Sequence, residues 1–536
     1  MNAECFPISV VPGLSRLFLD YCNGEAPVRA WFGGDARDRN WQRAQHKQPH
    51  DHVESLARLL ADQNSTAASA SAIAQLRGGA GVVVTGQQVG LFGGPLFTPH
   101  KAATAVSLAQ GATEAGHPHV PIFWLASEDH DFAEVNHVTF PARRELRKLS
   151  YESNLSAAVP VGGVVLDDSI SPLIDQAWEL LGYSDAMEWL ASAYRPGQTL
   201  AGAFAEFYSK VFAQHGLIVL DASGREAHRL GAPVLQAAIE RADELHVALL
   251  ERNSELLAAG YHAQVAVAER GSLLFLIDSQ TGARNSLRRT QATSNEPEGL
   301  WQAGREKYST NELLGILASE PERISPSALL RPVFQDEILP TSAYIGGPAE
   351  IAYFAQSAVL YERILGRLTP VLPRLSATLV EPAIAELLDR HELTLETIFA
   401  STEESLAQRL AARAMPIAGK RLLASAGNSL DQELTALTEY LNSLDEGVGR
   451  SAQVSASKMR YQMNRLRRMA ANFELQKEAS LGRHAQAVVQ ALYPHGGLQE
   501  RLMGAGYFLA RYGDALVQKL IAEASGGCPG HKMIRL

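Results

Sequence analysis

The period of hydrophobic and polar positions changes three times along the chain. Up to about residue 80, apolar residues recur at helical spacing in "SRLFLDYC", "HVESLARLLADQN" and "SAIAQLRGG". That spacing predicts helices ending at Gly78 and Gly79. "GVVVTG" (81–86) is then a short β-branched run, as expected of a strand buried on both faces. A glycine-rich loop follows to Gly94, and Pro95 opens the helix-like "LFTPHKAATAVSLAQ", with Pro99 confined to its first turn. "VPIFWLA" (120–126) reads as a second strand and "GLIVLDAS" (216–223) as a third. Strand, helix and strand in succession predict a right-handed parallel βαβ unit and an open α/β sheet.

The middle of the chain alternates instead. Residues 149–168 and 262–290 have hairpin-like patterns and read as insertions decorating the sheet. A return to the core is expected near "LLRPVFQDEILPTSAYIGGPAEIAYFAQ" and "PVLPRLSATLV". Beyond Glu381 the pattern is helical. Leu430, Leu434, Leu437, Leu441 and Leu444 are spaced by fours and threes, as are Met459, Met463, Leu466, Ala470 and Phe473. This is coiled-coil spacing, and "DEGVGRSAQ" between the runs predicts an antiparallel helical hairpin. Lys458, Arg460, Arg465, Arg467 and Arg468 make the second arm basic, a solvated face or a contact surface.

Composition narrows the function classes. The formal net charge is −10 over 536 residues, which argues against broad nucleic-acid binding. No run approaches the length of a membrane span, and "MNAECFPISVVPGL" lacks the basic and apolar regions of a secretory signal. Cys5, Cys22 and Cys528 are too few and scattered for a disulfide framework, so a reducing cytoplasm is expected.

The chemistry gathers in three stretches. In "VVTGQQVGLFGGPLFTPHKAATAVSLA", Gly90, Gly93 and Gly94 permit close approach of a ligand. Gln87 and Gln88 add neutral donors and acceptors, and His100 or Lys101 could supply charge. The loop matches neither the Walker A pattern nor the dinucleotide fingerprint, so it is an anion-binding loop or a tight strand-to-helix turn. "WLASEDHDFAEVNH" brings Glu128, Asp129, His130, Asp131, Asn136 and His137 directly after the next strand. Such a cluster suits proton transfer, Mg²⁺ accompanying a triphosphate, a metal hydrolase, or simply a capped helix start. Both loops leave strand ends, where open parallel sheets bind ligands. The third stretch sets Arg331, Gln335 and Tyr344 around a second Gly-Gly-Pro turn, with Arg331 suited to a carboxylate.

Together these stretches resemble the BshC family of bacillithiol-biosynthesis cysteine-adding enzymes. The hallmark "GQQ-x-GLF-x-GP-x-x-T-x-x-K" is met from Gly86 to Lys101, and "P-x-FW-x-A-x-EDHD-x-x-E-x-NH" from Pro121 to His137. "RP-x-x-Q…P-x-x-AYI-x-GP-x-E" (331–350), "PR-x-S-x-TL" (373–379) and "LQER" (498–501) extend the likeness along nearly the whole chain. The resemblance implies a Rossmann-like core (81–230 and 326–380) carrying a connecting-peptide insertion (231–325). It also implies a helical coiled-coil domain (381–490), while the pattern along the chain gives an N-terminal helical segment (1–80) and a C-terminal helical tail (491–536). The implied reaction joins cysteine to glucosaminyl-malate, with ATP or ADP and Mg²⁺ as companions and a homodimer formed through the helical domain. His130, Asp129, Asp131, Lys101 and His100 are then expected in catalysis. Gln87, Gln88, Gly90, Gly93, Gly94, Glu128, Asn136, His137, Arg331, Gln335 and Tyr344 are expected to bind substrate. Arg374, Ser376, Gln499, Glu500 and Arg501 are expected at a second nucleotide site. A nucleotide-binding scaffold without ligase activity is the competing reading.

Overall fold

A computed structural model describes residues 3–32, 38–44, 48–143, 145–153, 158–268, 271–290, 300–477, 479–525 and 528–536. Residues 154–157 and 269–270, within the two hairpin-like stretches, lie outside it. The chain folds into two compact units, residues 1–378 with 500–534, and residues 379–499 with 535–536.

The first unit is built on a parallel sheet. The chain enters it at β1 (Gly81–Gln88), crosses over by α1 (Phe97–Glu114) to β2 (His119–Ala126), and later reaches β3 (Ile218–Asp221). An insertion then contributes α2 (Ala242–Ala258) and the antiparallel pair β4 (Gly271–Ile277) and β5 (Arg284–Arg289). The chain returns through α3 (Arg331–Ile338), β6 (Thr341–Gly346), α4 (Pro348–Ile364) and β7 (Val371–Pro373). The strand order is β7-β6-β1-β2-β3, every pair parallel. Val82, Val83, Val84, Ile122, Phe123 and Ile345 are fully buried, which explains the unbroken apolar runs of these strands. Because β1 is followed by β2 and β3 on one side and flanked by β6 on the other, the order reverses between β1 and β6. A ligand crevice is expected at the carboxyl ends there.

The sequence reading diverges from the fold in two places within this unit. Residues 491–536 were expected to be a helical tail. Beyond the helix Ala505–Ser525, however, the strand His531–Arg535 pairs with Glu4–Phe6 in the register Cys5↔Lys532. The same approach joins Cys5 to Cys528 in a disulfide across 523 residues, leaving Cys22 free and buried. Spacing along the chain carries no trace of a pairing made by strand register.

The second unit is helical. α5 (Ile417–Leu444) and α6 (Glu446–Lys477) run antiparallel: Asp431 bridges Arg460 at 2.7 Å, and Gly427 backs onto the Arg467 guanidinium. The turn between them is tight, since Asp445 Oδ1 accepts from the backbone N–H groups of Gly447 and Val448 and restarts the helix at once. Leu434 and Met463 are buried, whereas Leu437, Leu444, Met459, Leu466 and Phe473 are more than half exposed. The heptad stripe is therefore wider than the hairpin itself covers. Among the described residues, no helix is long and apolar enough to cross a membrane.

Candidate active site

A cavity of about 640 Å³ opens at the strand reversal, within the usual range of small-molecule sites. Its floor is made by the tips of β1 and β2. Gly86, Gln87 and Gln88 end the first strand, and Ser127, Glu128, Asp129 and His130 follow the second. Gln88 Nε2 donates to Asp129 Oδ2 at 2.7 Å and to Glu134 Oε2 at 2.9 Å. The neutral amide thus ties the two loops together at one edge.

Lys101 reaches the cavity from α1, but its ammonium is fully engaged. Nζ donates to Gly86 O (2.6 Å) and Gln87 Oε1 (3.1 Å) and pairs with Glu350 Oε2 (2.5 Å). An ammonium has three donors, so Lys101 holds the end of β1 in place. Burial drives the Glu350 carboxyl up, yet Lys101, the Tyr344 hydroxyl and the Gly347 N–H outweigh it. The carboxyl ends below its ordinary value. Arg331 is similarly committed, donating to Gln335 Oε1 (3.0 Å) and to the Tyr353 hydroxyl (3.0 Å) while facing the Tyr344 ring. Glu128 faces the buried His228, with Oε1 3.0 Å from Nε2. Burial lowers the His228 pKa, but Glu128 outweighs it and the net shift is upward.

The glycines of the loop serve a different purpose from the one their pattern suggests. Gly90, Gly93 and Gly94 are buried and do not line the cavity. Tyr194 Oη donates to Gly90 O and accepts from Gly93 N, and Tyr208 Oη donates to Gly93 O. Gly93 has φ +82°, and a Cβ there would sit 2.7 Å from the Phe207 ring. This is a tight turn packed on aromatic side chains, with its backbone groups bonded to tyrosines.

Several other anticipated residues also sit elsewhere. His100, one residue from Lys101, points about 100° away around the helix and lies buried against Glu500, 3.3 Å from Nδ1. Asp131 caps the short helix Phe132–Val135. Asn136 bonds Tyr151 O, and His137 bonds Ala133 O. Gln335 is fully buried between Arg331 and Asp336. Of the group assigned to a second nucleotide site, Arg374 and Arg501 line this same cavity. Glu500 is buried in a bidentate pair with Arg374 at 2.6 and 3.0 Å. Ser376 borders a smaller cavity of about 310 Å³, which Arg374 also lines. Gln499, in the helical unit, is spent on Leu379 and Ala491 backbone groups.

The sequence reading placed Glu350 and Tyr353 on the helix after the second Gly-Gly-Pro turn without giving them a role, and it passed over His228 and the wall supplied by the insertion. Arg284 and Arg288 come from β5, Phe275 from β4 and His246 from α2. Glu350 was readable as the N3 residue of a helix after Gly-Gly-Pro; the others carry no local signature. Among the described residues, no group of three or more His, Cys, Asp or Glu side chains converges as metal ligands. Mg²⁺ usually keeps several waters and the oxygens of a bound phosphate, so its arrival with a nucleotide needs no preformed cage.

Comparison with known proteins adds a family. Residues 1–375 match the model described as Bacillithiol biosynthesis BshC, N-terminal Rossmann-like domain, and residues 377–536 match its C-terminal coiled-coil domain. Proteins named "Putative cysteine ligase BshC" are similar over the whole chain. The one from Koribacter versatilis is 42% identical and that from Solibacter usitatus 35%, each covering 100% of both chains. That from Salinibacter ruber is 32% identical over 98% of this chain and 97% of its own.

Proposed function

Because the chain belongs to the BshC family of bacillithiol biosynthesis, we propose that it is a ligase joining the cysteine carboxyl to the amine of glucosaminyl-malate. The observation that carries this reading is the cavity at the strand reversal, which Gln88, Asp129, His130, Arg374 and Arg501 all line. A carboxylate does not condense with an amine at neutral pH until it is activated, so a nucleotide triphosphate is assigned that task. A cysteine carboxylate oxygen attacks the α-phosphorus and pyrophosphate leaves. The sugar amine then attacks the acyl carbon, AMP departs, and the amine's proton passes to the released phosphate.

The walls suit these charges. Arg501 lines the cavity together with Pro348 and Ala349 at the start of α4, beside the Arg374–Glu500 pair, and a helix start favours anions. Such fixed donors stabilise charge that develops during transfer. Lys101 acts at one remove by holding Gly86 and Gln87. The half-exposed Leu437, Leu466 and Phe473 stripe supports a homodimer formed through the helical unit. The compartment proposed is the cytoplasm, from which the Cys5–Cys528 bond departs, since a reducing compartment rarely leaves disulfides formed.

Purified protein incubated with cysteine, glucosaminyl-malate, ATP and Mg²⁺ should yield bacillithiol, AMP and pyrophosphate by mass spectrometry. Bacillithiol with ADP and phosphate would overturn the adenylate route alone. No thiol product would leave the scaffold reading in possession.

A further inference from the structure

We infer that Arg284 locks His130 into the tautomer that carries its proton on Nε2, so that His130 meets the substrate as a hydrogen-bond donor and not as a base. The inference deepens the ligase reading and rests on it for the identity of the substrate.

Arg284 is 9% exposed and every part of its fork is held. Nε donates to Ser325 Oγ at 2.9 Å and Nη2 to Pro326 O at 2.9 Å, and the guanidinium lies 3.7 Å from the centre of the Phe275 ring. Nη1 is thereby aimed at His130 Nδ1, 3.2 Å away. A guanidinium has five N–H donors and no acceptor, and it stays charged in proteins. Nδ1 must therefore present its lone pair. A neutral imidazole with a lone pair on Nδ1 has its hydrogen on Nε2.

The competing partner is weaker. Asp129 Oδ1 would favour a proton on Nδ1, but it stands 3.7 Å off and already accepts from the His130 backbone N–H at 2.7 Å. Were Nε2 to accept a proton from the attacking amine, Nδ1 would need its own hydrogen first, facing the N–H of a fixed cation. The ring would then be a second cation against the first. His130 lines the cavity and its side chain is 40% exposed, so the Nε2–H is a donor suited to an anionic oxygen on the acyl or phosphoryl group. Arg284 is the positioning residue and His130 the group that touches substrate.

Two measurements test this. Protein labelled with ¹⁵N in the histidine ring, with His130 identified by the signal lost in His130→Gln, should show Nδ1 unprotonated and Nε2 protonated. Arg284→Met should move hydrogen toward Nδ1, and Arg284→Lys, which keeps a charged donor, should restore the original pattern. A wild-type ring protonated at Nδ1, or a pattern unmoved in folded Arg284→Met, overturns the inference. If Arg284→Met does not fold, the wild-type spectrum decides alone. In the ligation assay, His130→Gln retains a side-chain N–H and should keep at least ten times the rate of His130→Ala. Equal loss in both would return His130 to the role of base. The spectra do not depend on turnover, so failure of the ligase reading would be seen separately as wild-type protein with the expected tautomer and no product.

Discussion

At the scale of single residues, the site is governed by charges that neutralise one another before any ligand arrives. Lys101 is buried and Glu350 half-buried, each the other's counter-ion. Removing one member of a buried pair costs about 3–5 kcal/mol, because the survivor is stranded. Lys101→Met should therefore lower stability by that amount in urea titration and also abolish ligation, since Gly86 and Gln87 lose their tether. Lys101→Met combined with Glu350→Gln should regain much of the stability and none of the activity. Glu500 shows the pH consequence. Burial pushes its carboxyl up, but Arg374 and His100 outweigh this and hold it well below the ordinary range. The folded state thus binds the proton less readily than the unfolded one. Its contribution is complete above the unfolded value of about 4.3 and is lost as pH falls through the folded value. Melting curves from pH 6 to 3 should show this acid loss, and Glu500→Gln, less stable at pH 6, should show a flatter decline.

At the scale of elements, the strands were readable and the purpose of the loop was not. "GVVVTG" and "VPIFWLA" announce buried parallel strands because both of their faces are covered, and the polar residues at their ends fall in the crevice that the topology dictates. The glycines were read as a ligand cradle or a tight strand-to-helix turn, and the turn is what forms, constrained by Phe207, Tyr194 and Tyr208, more than a hundred residues on. Arg284 was invisible as a wall residue for the same reason, since tertiary folding alone brings it to β1 and β2, and Arg501, expected at a separate nucleotide site, lines this cavity instead. Gly93→Ala should test the packing role. At φ +82° with Phe207 at 2.7 Å, the added methyl is strained twice over, about 2–3 kcal/mol in denaturant titration. The helical hairpin shows a partial reading of another kind. The heptads correctly marked two helices, but only alternate seam positions face the partner arm. Leu437→Glu with Leu466→Glu should leave helicity by circular dichroism unchanged and convert a dimer to monomer by light scattering. A monomeric parent protein would remove the homodimer proposal.

At the scale of the whole molecule, the ends of the chain are brought together within the first unit. Glu4–Phe6 needs a strand neighbour and His531–Arg535 supplies it, with Cys5 and Cys528 bonded beside the pairing. Neither end reads as a strand from its own sequence. Three residues around a cysteine and the mixed "HKMIR" are too short for a period to register. Closing a loop this long removes much conformational freedom from the unfolded chain, typically about 2–4 kcal/mol of stabilisation. A chain with such a bond also has a definite thiol count. Cys22 is buried, and burial pushes its thiol up to about 12, so it is protonated and slow to react at neutral pH. Protein purified without reductant should therefore show no rapidly reacting thiol by Ellman titration while native, one after denaturation, and three after denaturation with reduction. Cys5→Ser should melt lower than the unreduced parent and match the reduced one. Three thiols in the unreduced denatured parent would mean that strand pairing alone holds the ends, and the difference in melting temperature should then vanish.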